Sequence, residues 1–478
     1  MNSRPFSSRK TSFLVIVSGL FLSLLVLWVL LTVSRWEGYP PRLSFDRNFT
    51  SLGKNPTLVL KIEDKETGLR KISVELKLKD QTISLVNEHY SGSPLLSLQG
   101  QGNQISKTFN LGQLITKNYL IREGPARLEI SASDHSFRRF FGGNETVLHQ
   151  NFTFDVHPPR LETLSKRHYI YQGGAECILY KVSEDTVYSG VRVGPDFFPG
   201  YSVDPSEKEL HFSIFAYRYD LAPNQELKLV ARDKSGNETA IAFWHKFFPK
   251  KFRRRKIVLN ENFLQTVVPT ILNENPQLPR QGDLVKDFVQ INHRLRQINH
   301  EKIKEISRKS NPQLQWTEAF SQLSRSKVES VFADHRTYFY NGTVIDRQDH
   351  VGFDLAVTRH YPIEASNNGI VRYSEKLGIY GNTVLLDHGC GLLSLYGHLS
   401  SIEVKVGQQV KKGQKLGRSG ATGLAAGDHL HFGLFLHGVP LNPTEWWDNN
   451  WVRTHILQRL HKQDRTTGED KSPNSMEY

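Results

Sequence analysis

The strongest hydrophobic signal lies at the start of the chain. Residues 13–33 form an uncharged run rich in Leu, Val and Phe, and residues 1–11 carry three basic side chains and no acid. The run is long enough to cross a bilayer as a helix, and it exceeds the core of about 7–15 residues that is typical of a cleaved signal peptide. Basic residues ahead of it orient the N-terminus to the cytoplasm. We predict a cytoplasmic tip and uncleaved transmembrane anchor over residues 1–37.

A different pattern follows, in which apolar and polar residues alternate in short runs. Segments such as TLVLKIED, ISVELKLKD and ELKLVARD are broken by Gly, Asn and Asp, which is typical of antiparallel strands in a sandwich. The letters PPRL occur at 40–43 and again at 158–161. We predict two immunoglobulin-like β-sandwich repeats, residues 38–156 and 157–250. They are expected to act as spacers or as docking surfaces for protein partners.

Each predicted repeat ends in a strand, an aspartate and an Asn-Glu-Thr turn. The aspartates are Asp134 and Asp233, and both stand where a strand ends. Aspartate side chains commonly stabilise turns by accepting backbone hydrogen bonds. We therefore assign these two acids to turn structure and expect no catalysis in the repeats.

A basic stretch, KFFPKKFRRRK, follows at residues 246–256. Such a run is typical either of an anionic binding patch or of a solvated linker. We favour the linker and expect no nucleic-acid partner, because a protein outside the cytoplasm rarely meets nucleic acid. The formal net charge of +13 agrees with either interpretation and selects no partner.

Helical periodicity replaces the strand pattern after this stretch, so residues 251–325 are predicted to be a basic junction and helical linker. Asn260 or Asn262 is a suitable N-cap for a first helix, and Asp283 for a second. We expect this segment to pack on the domain that follows and to control access to its groove.

The last region, residues 326–450, combines strand patterns with clustered histidines. It contains HVGFD at 350–354, YGHL at 396–399 and HLH at 429–431. A catalytic zinc takes three protein ligands of the imidazole and carboxylate kind, and it leaves one position for water. His350, Asp354 and His431 would supply that set. His398 and His429 would remain as imidazoles for proton transfer.

These motifs, together with YGNTVLLDHGCGLLSLYGHL and HLHFGLFLHGVPLNPTEW, resemble the lysostaphin/LytM family of zinc peptidoglycan endopeptidases. The resemblance covers roughly residues 325–450. It implies an antiparallel β peptidase domain, with His350, Asp354 and His431 as Zn²⁺ ligands and His398 and His429 as the catalytic pair. His429 is expected to orient and deprotonate the attacking water. His398 would stabilise the oxyanion or protonate the leaving amine, and the two roles are exchangeable.

The resemblance also sets the expected substrate and location. It implies hydrolysis of an amide bond in peptidoglycan, by an enzyme held in the bacterial inner membrane with its catalytic domain in the periplasm or extracytoplasmic space. The family usually has proline before HLH, whereas this chain has Asp428, which would either raise the pKa of His429 or face solvent. The alternative function is a non-enzymatic activator or scaffold of other wall hydrolases.

Four further expectations concern residues outside this set. Cys177 and Cys390 fall in different predicted domains, so no disulfide is expected. His335 is a possible extra groove residue. A second metal site on the helical segment is conceivable at His293 and His300, which lie seven residues apart. The polar residues 451–478 are predicted to form a flexible tail.

Overall fold

The computed structural model is mainly β and divides into two compact units. The first comprises residues 1–159 and 232–238, and the second comprises residues 160–231 and 239–478. The structure describes residues 8–32, 36, 38–54, 58–64, 67–79, 81–91, 107–110, 113 and 123–460. Most of the predicted flexible tail therefore lies outside the described residues.

The N-terminal hydrophobic run forms helix α1, Ser8–Thr32. Its side chains over residues 13–29 are exposed. Counted over the residues that the structure describes, no helix is both long and apolar enough to cross a membrane.

The first unit contains eight strands among its described residues. They are β1 Arg42–Phe45, β2 Ser51–Leu52, β3 Val59–Glu63, β4 Leu69–Lys77, β5 Thr82–His89, β6 Lys107–Asn110, β7 Gly124–Asp134 and β8 Glu145–Phe154. They pair in two sheets, with strand orders β1-β3-β6 and β2-β8-β7-β4-β5. Alternate residues of β7 are buried in the core of this unit, as the period-two pattern predicts. The immunoglobulin-like class of this unit stays a prediction.

Asp134 and Asp233 perform the same turn role. Asp134 accepts hydrogen bonds from the backbone and side-chain nitrogens of Asn144, at 2.7 and 2.9 Å. Asp233 accepts the equivalent pair from Asn237, both at 2.9 Å. The assignment of these acids to turn structure is thus confirmed.

The second unit begins with ten strands. They are β9 Leu161–Thr163, β10 Tyr169–Tyr171, β11 Ala175–Val182, β12 Thr186–Val193, β13 Asp196–Pro199, β14 Tyr201–Ser202, β15 Leu210–Ala216, β16 Leu227–Asp233, β17 Glu238–Ala242 and β18 Lys246–Phe248. Two four-stranded sheets have the orders β14-β15-β11-β9 and β13-β12-β16-β17, and β10 pairs in parallel with β18.

The basic stretch is mostly exposed, as a solvated linker would be, but strands lie at both of its ends. Besides β18, it contains β19, Arg254–Val258, which pairs in parallel with β21, Asp334–Tyr340. Arg253 donates two hydrogen bonds to the fully buried Asp334, at 2.8 and 2.6 Å. Buried charges require such partners, and the local sequence does not show where a partner lies.

Helices follow in the middle and at the end of the second unit. They are α3 Glu261–Glu274, α4 Leu284–Gln290, α5 Arg296–Ser307, α6 Pro443–Trp447, α7 Asn449–Trp451 and α8 Gln458–Leu460, after a short α2 Arg138–Phe141 in the first unit. A π-helical turn, Ile291–Leu295, joins α4 to α5. The predicted N-caps are confirmed, because Asn260 accepts from the Phe263 amide and Asp283 from the Lys286 amide.

The helical segment packs on the C-terminal sheet, as predicted. Val268, Phe288 and Leu295 are fully buried in one core with Leu393 and Phe435 of that sheet. Control of access to the groove by this segment stays a prediction.

The remaining strands build the C-terminal domain. They are β20 Lys327–Ser330, β22 Thr343–His350, β23 Phe353–Ala356, β24 Pro362–Glu364, β25 Gly369–Lys376, β26 Asn382–Asp387, β27 Leu392–Leu399, β28 Ser401–Ile402, β29 Gln409–Val410, β30 Lys415–Arg418, β31 Leu430–Leu436 and β32 Val439–Leu441. The main sheet has the order β20-β23-β31-β27-β26-β25-β29, with β32 on β31. Strands β26 and β27 pair antiparallel around the turn at Gly389–Gly391.

The second sandwich and the C-terminal domain share one hydrophobic core. The buried Glu176 of β11 contacts His455 at 2.9 Å and Arg459 at 3.2 Å. Both partners lie in residues 449–460, which are helical and include the fully buried Val452. The start of the predicted flexible tail is thus helical and ordered, because the apolar face of this helix packs against the sheet that contains β11.

Candidate metal centre and active site

Three neighbouring strands carry the predicted ligands to one point. His350 ends β22, Asp354 lies in β23 and His431 lies in β31. Asp354 and His431 are direct partners in the antiparallel pair β23–β31, so their side chains share a face of the sheet.

The three ligand atoms converge closely. Asp354 Oδ1 lies 2.9 Å from His350 Nε2 and 2.9 Å from His431 Nδ1, and the two imidazole nitrogens are 3.0 Å apart. Ligand atoms around a tetrahedral zinc with bonds of about 2.0–2.1 Å would be roughly 3.3 Å apart. The triangle is therefore of the size that one such ion requires.

Gly352 permits this convergence. A Cβ atom on Gly352 would lie 2.7 Å from the His431 ring and 2.6 Å from the Phe432 carbonyl oxygen. Real Cβ atoms do not approach other atoms this closely, so any larger residue would displace the ligand. Steric crowding by the His431 ring and the Phe432 carbonyl thus explains why glycine occupies position 352 in HVGFD.

The donor set fits a divalent cation. His350 Nδ1 donates to the Val331 carbonyl at 3.0 Å, which leaves an unprotonated Nε2 facing Asp354 and His431. Burial lowers the pKa of His350, and it lowers the pKa of His431 to about 4, so both rings are neutral near pH 7. Neutral imidazole and carboxylate are the forms that bind metals.

Asp354 is held from its other side by Arg336. Arg336 Nη2 donates to Asp354 Oδ2 at 2.8 Å, and the arginine side chain is only 17% exposed. Burial alone would raise the pKa of Asp354, but the neighbouring histidines hold it well below its usual value. No sequence motif points to Arg336, which lies in β21 outside the three histidine motifs.

His398 reaches the site through an unusual backbone conformation. Its φ of 62° is in the left-handed region, which is strained for a non-glycine residue. Strict alternation along β27 would place His398 on the same face as Tyr396. Tyr396 packs on Phe432 and shares a hydrogen bond of 2.8 Å with Ser366, while the His398 ring lies 5.8 Å from His431. The left-handed conformation of His398 therefore turns its imidazole away from the Tyr396 face and into the site.

His429 completes the group, immediately before β31. Its Nε2 lies 3.5 Å from Asp354 Oδ1, and its ring centroid is 4.8 Å from that of His398. Burial alone would lower the pKa of His429, but the Asp354 carboxylate raises it overall. Burial and the two neighbouring histidines lower the pKa of His398.

Both proposed proton carriers present the same nitrogen. His398 Nδ1 donates to the Thr422 carbonyl at 2.7 Å, and His429 Nδ1 donates to the Gly427 carbonyl at 2.8 Å. The Nε2 atoms are therefore the ones available for chemistry.

The triad lies at the base of a cavity of about 330 Å³. Its lining includes His398, His429, Tyr380 and, from the segment before the domain, Phe263 and Phe288. The helical segment thus forms one wall of the site.

The other candidates lie elsewhere. His335 bonds Asp349 at 2.6 Å, outside the cavity lining, and His293 bonds Asp346 at 2.5 Å. His300 packs on Phe435, so it does not pair with His293 in a metal site.

Asp428 and the two cysteines lie in surroundings that explain them without a role in catalysis. Asp428 accepts a hydrogen bond from the His360 amide at 3.0 Å, so it neither perturbs His429 nor faces solvent as the sequence suggested. Cys177 and Cys390 are buried and unpaired, which confirms that they form no disulfide.

Comparison with known proteins identifies the same region. Residues 348–443 match the model of the family described as Peptidase family M23. The peptidoglycan DD-endopeptidase ShyA of Vibrio cholerae is 41% identical over 93 residues, which are 20% of this chain and 22% of that protein. The DD-carboxypeptidase/endopeptidase Mpg of Neisseria meningitidis is 37% identical over 94 residues, again 20% and 22%. The chain therefore spans only about a fifth of the length of these relatives.

A solved structure is also similar to part of this chain. The catalytic domain of the antimicrobial peptidase lysostaphin from Staphylococcus simulans is 27% identical, with a TM-score of 0.24. The match covers 27% of this chain and 98% of that domain.

Proposed function

Because residues 348–443 form a domain of peptidase family M23, we propose that this chain is a zinc metalloendopeptidase that hydrolyses amide bonds in peptidoglycan stem peptides or cross-links. The observation that carries the proposal is the convergence of His350, Asp354 and His431 ligand atoms within 3.0 Å of one another, beneath an open cavity. Remodelling of the cell wall would be the role of such an activity.

The chemistry divides between the ion and two side chains. Zinc held by the triad would polarise the scissile carbonyl and acidify a water molecule. His429 Nε2 lies next to the ligand cluster, so it is suited to orient that water and accept its proton. His398, whose ring centroid lies 4.8 Å from that of His429, would stabilise the developing oxyanion or protonate the leaving amine.

Digestion of purified peptidoglycan tests the proposal. We expect the zinc-loaded protein to release fragments whose masses show a hydrolysed amide bond in the peptide, with the glycan intact. Removal of zinc by a chelator should abolish the release, and added zinc should restore it. A zinc-loaded protein that releases no peptide fragment would instead favour the alternative of a non-enzymatic activator or scaffold.

We further propose that α1 attaches the protein to the bacterial inner membrane, with the peptidase domain outside the cytoplasm. The uncharged run at residues 13–33 and the exposed side chains at 13–29 support this location. In fractionated cells, the full chain should remain with the membrane after a high-salt wash, and a chain that lacks residues 1–37 should not. Release of the full chain by salt would contradict the proposal.

The two sandwich units are proposed to serve as spacers or docking surfaces for protein partners. The second sandwich packs on the peptidase domain, which favours a fixed position of this sandwich relative to that domain.

A further inference from the structure

Three arginines line the cavity above the metal centre. Arg255 comes from β19, Arg336 from β21 and Arg296 from α5. The acidic side chains in the same lining are Asp354 and Glu329. The cavity wall therefore carries more positive than negative charge even before a divalent ion is added.

One of the three arginines, Arg336, already forms a salt bridge within the protein. Arg336 pairs with Asp354, and Asp354 is in turn required by the metal centre. Arg255 is the direct register partner of Arg336 in the parallel pair β19–β21, so its side chain lies on the same face of the sheet. Arg255 is thus placed beside the metal centre, with no carboxylate of its own.

Arg255 and Arg296 keep unused donors. Arg255 uses only Nη1, which donates to the Glu329 carbonyl oxygen at 2.9 Å and to Ser330 Oγ at 2.7 Å. Arg296 uses Nε and Nη2, which donate to the Asn292 carbonyl oxygen at 3.1 Å and to Asn292 Oδ1 at 2.7 Å. A guanidinium has five N–H donors. Each side chain is therefore held in place by neutral groups while some of its donors remain free of described acceptors.

Among the described residues, no carboxylate lies within 4.0 Å of either guanidinium, although Glu329 interacts with Arg255 electrostatically at longer range. The carboxylate of Glu329 pairs with Lys327 at 2.8 Å, and no salt bridge within 4.0 Å involves Arg255 or Arg296. Guanidinium groups bind carboxylates strongly because the planar fork can donate two parallel hydrogen bonds. A partly enclosed cavity with an uncompensated positive charge also attracts anions.

We propose that Arg255 and Arg296 form a carboxylate-binding subsite, and that the preferred substrate carries a free carboxylate on the residue flanking the scissile amide. The inference rests on the proposed endopeptidase function and narrows its substrate class. The two arginines come from different elements of the segment that precedes the domain, strand β19 and helix α5.

Two matched substrates test the subsite. They are soluble cross-linked peptides that differ only in a carboxylate or a primary carboxamide on the residue flanking the scissile bond. We expect the wild-type protein to have a kcat/KM about 10- to 100-fold higher for the carboxylate, the range of a charged hydrogen-bonded contact. Arg255→Met and Arg296→Met should each reduce this ratio toward one, mainly through KM.

Control variants separate this role from a structural one. Arg254→Met, at an exposed neighbour on the same strand that does not line the cavity, should retain both the rate and the ratio. Arg255→Lys should retain part of the preference, and zinc content and thermal unfolding should match wild type. If the wild-type ratio is near one, or if both substrates slow equally in the methionine variants, the subsite is refuted.

Failure of the proposed endopeptidase function can be distinguished from failure of the carboxylate subsite. If zinc-loaded wild type cleaves neither peptide, the endopeptidase proposal fails. Calorimetric titration with the two peptides then tests the subsite alone: tighter binding of the carboxylate peptide that is lost in Arg255→Met supports it, and equal binding of both peptides refutes it.

Discussion

Replacing His431 by alanine should produce a folded protein that neither retains zinc nor cleaves peptidoglycan. His431 Nδ1 is one of three atoms in the ligand triangle, 2.9 Å from Asp354 Oδ1 and 3.0 Å from His350 Nε2. Loss of residues that merely orient a metal ligand costs about 10- to 100-fold in affinity, so loss of a ligand should cost more. Loss of the ion removes several kcal/mol of transition-state stabilisation, which is roughly 1,000-fold or more in rate.

Zinc content after dialysis and the release of soluble peptide are the measurements. His335→Ala is a matched control, since this histidine lies on a neighbouring strand, bonds Asp349 and does not line the cavity. It should retain one equivalent of zinc and near wild-type activity. An active His431→Ala protein, or one that retains a full equivalent of zinc, would contradict the assignment.

The sequence could indicate that His350, Asp354 and His431 converge because the motifs that carry them are local and sterically demanding. HVGFD combines two ligands with the glycine that lets the His431 ring approach. The alternating pattern of β31 then places His431 opposite Asp354. These constraints act through strand geometry and are visible in a few consecutive residues.

The groups that support the site could not be predicted in the same way. Arg336 reaches Asp354 from β21, and Arg255 lies beside it only because β19 pairs in parallel with that strand. The basic stretch has no periodic pattern that would predict the pairing of β19 with β21. His398 breaks the strand alternation with a left-handed residue, and such strain is a property of the folded site.

The sequence also did not indicate the packing between the second sandwich and the C-terminal domain. The sequence suggested a second sandwich that acts as a spacer or docking surface, followed by a helical linker, and it gave no contacts between that sandwich and the C-terminal domain. In the structure, Glu445 of α6 accepts a hydrogen bond from the Ala175 amide at 3.0 Å, and the Asn442 amide donates to the Gly173 carbonyl at 2.8 Å. Apolar patterns indicate that a face is buried, but they do not identify what covers it.

Replacing His429 or His398 by alanine should separate proton transfer from metal binding. Neither residue belongs to the ligand triangle, so both variants should retain one equivalent of zinc. Each should lower kcat by about 10²- to 10⁴-fold, the usual contribution of a general acid or base. The double variant should lose less than the product of the two single losses, because the rings lie 4.8 Å apart and act on one reaction.

The pH dependence of kcat/KM assigns the two roles. A general base must be unprotonated, so the rate falls as the pH falls through the pKa of that base, and His429→Ala should remove this acid limb. We favour His429 as the base because its Nε2 lies 3.5 Å from the ligand Asp354 and its Nδ1 is held by the Gly427 carbonyl. If the acid limb survives in His429→Ala and disappears in His398→Ala, the roles are exchanged. Loss of zinc from either variant would show that the histidine helps to hold the metal instead.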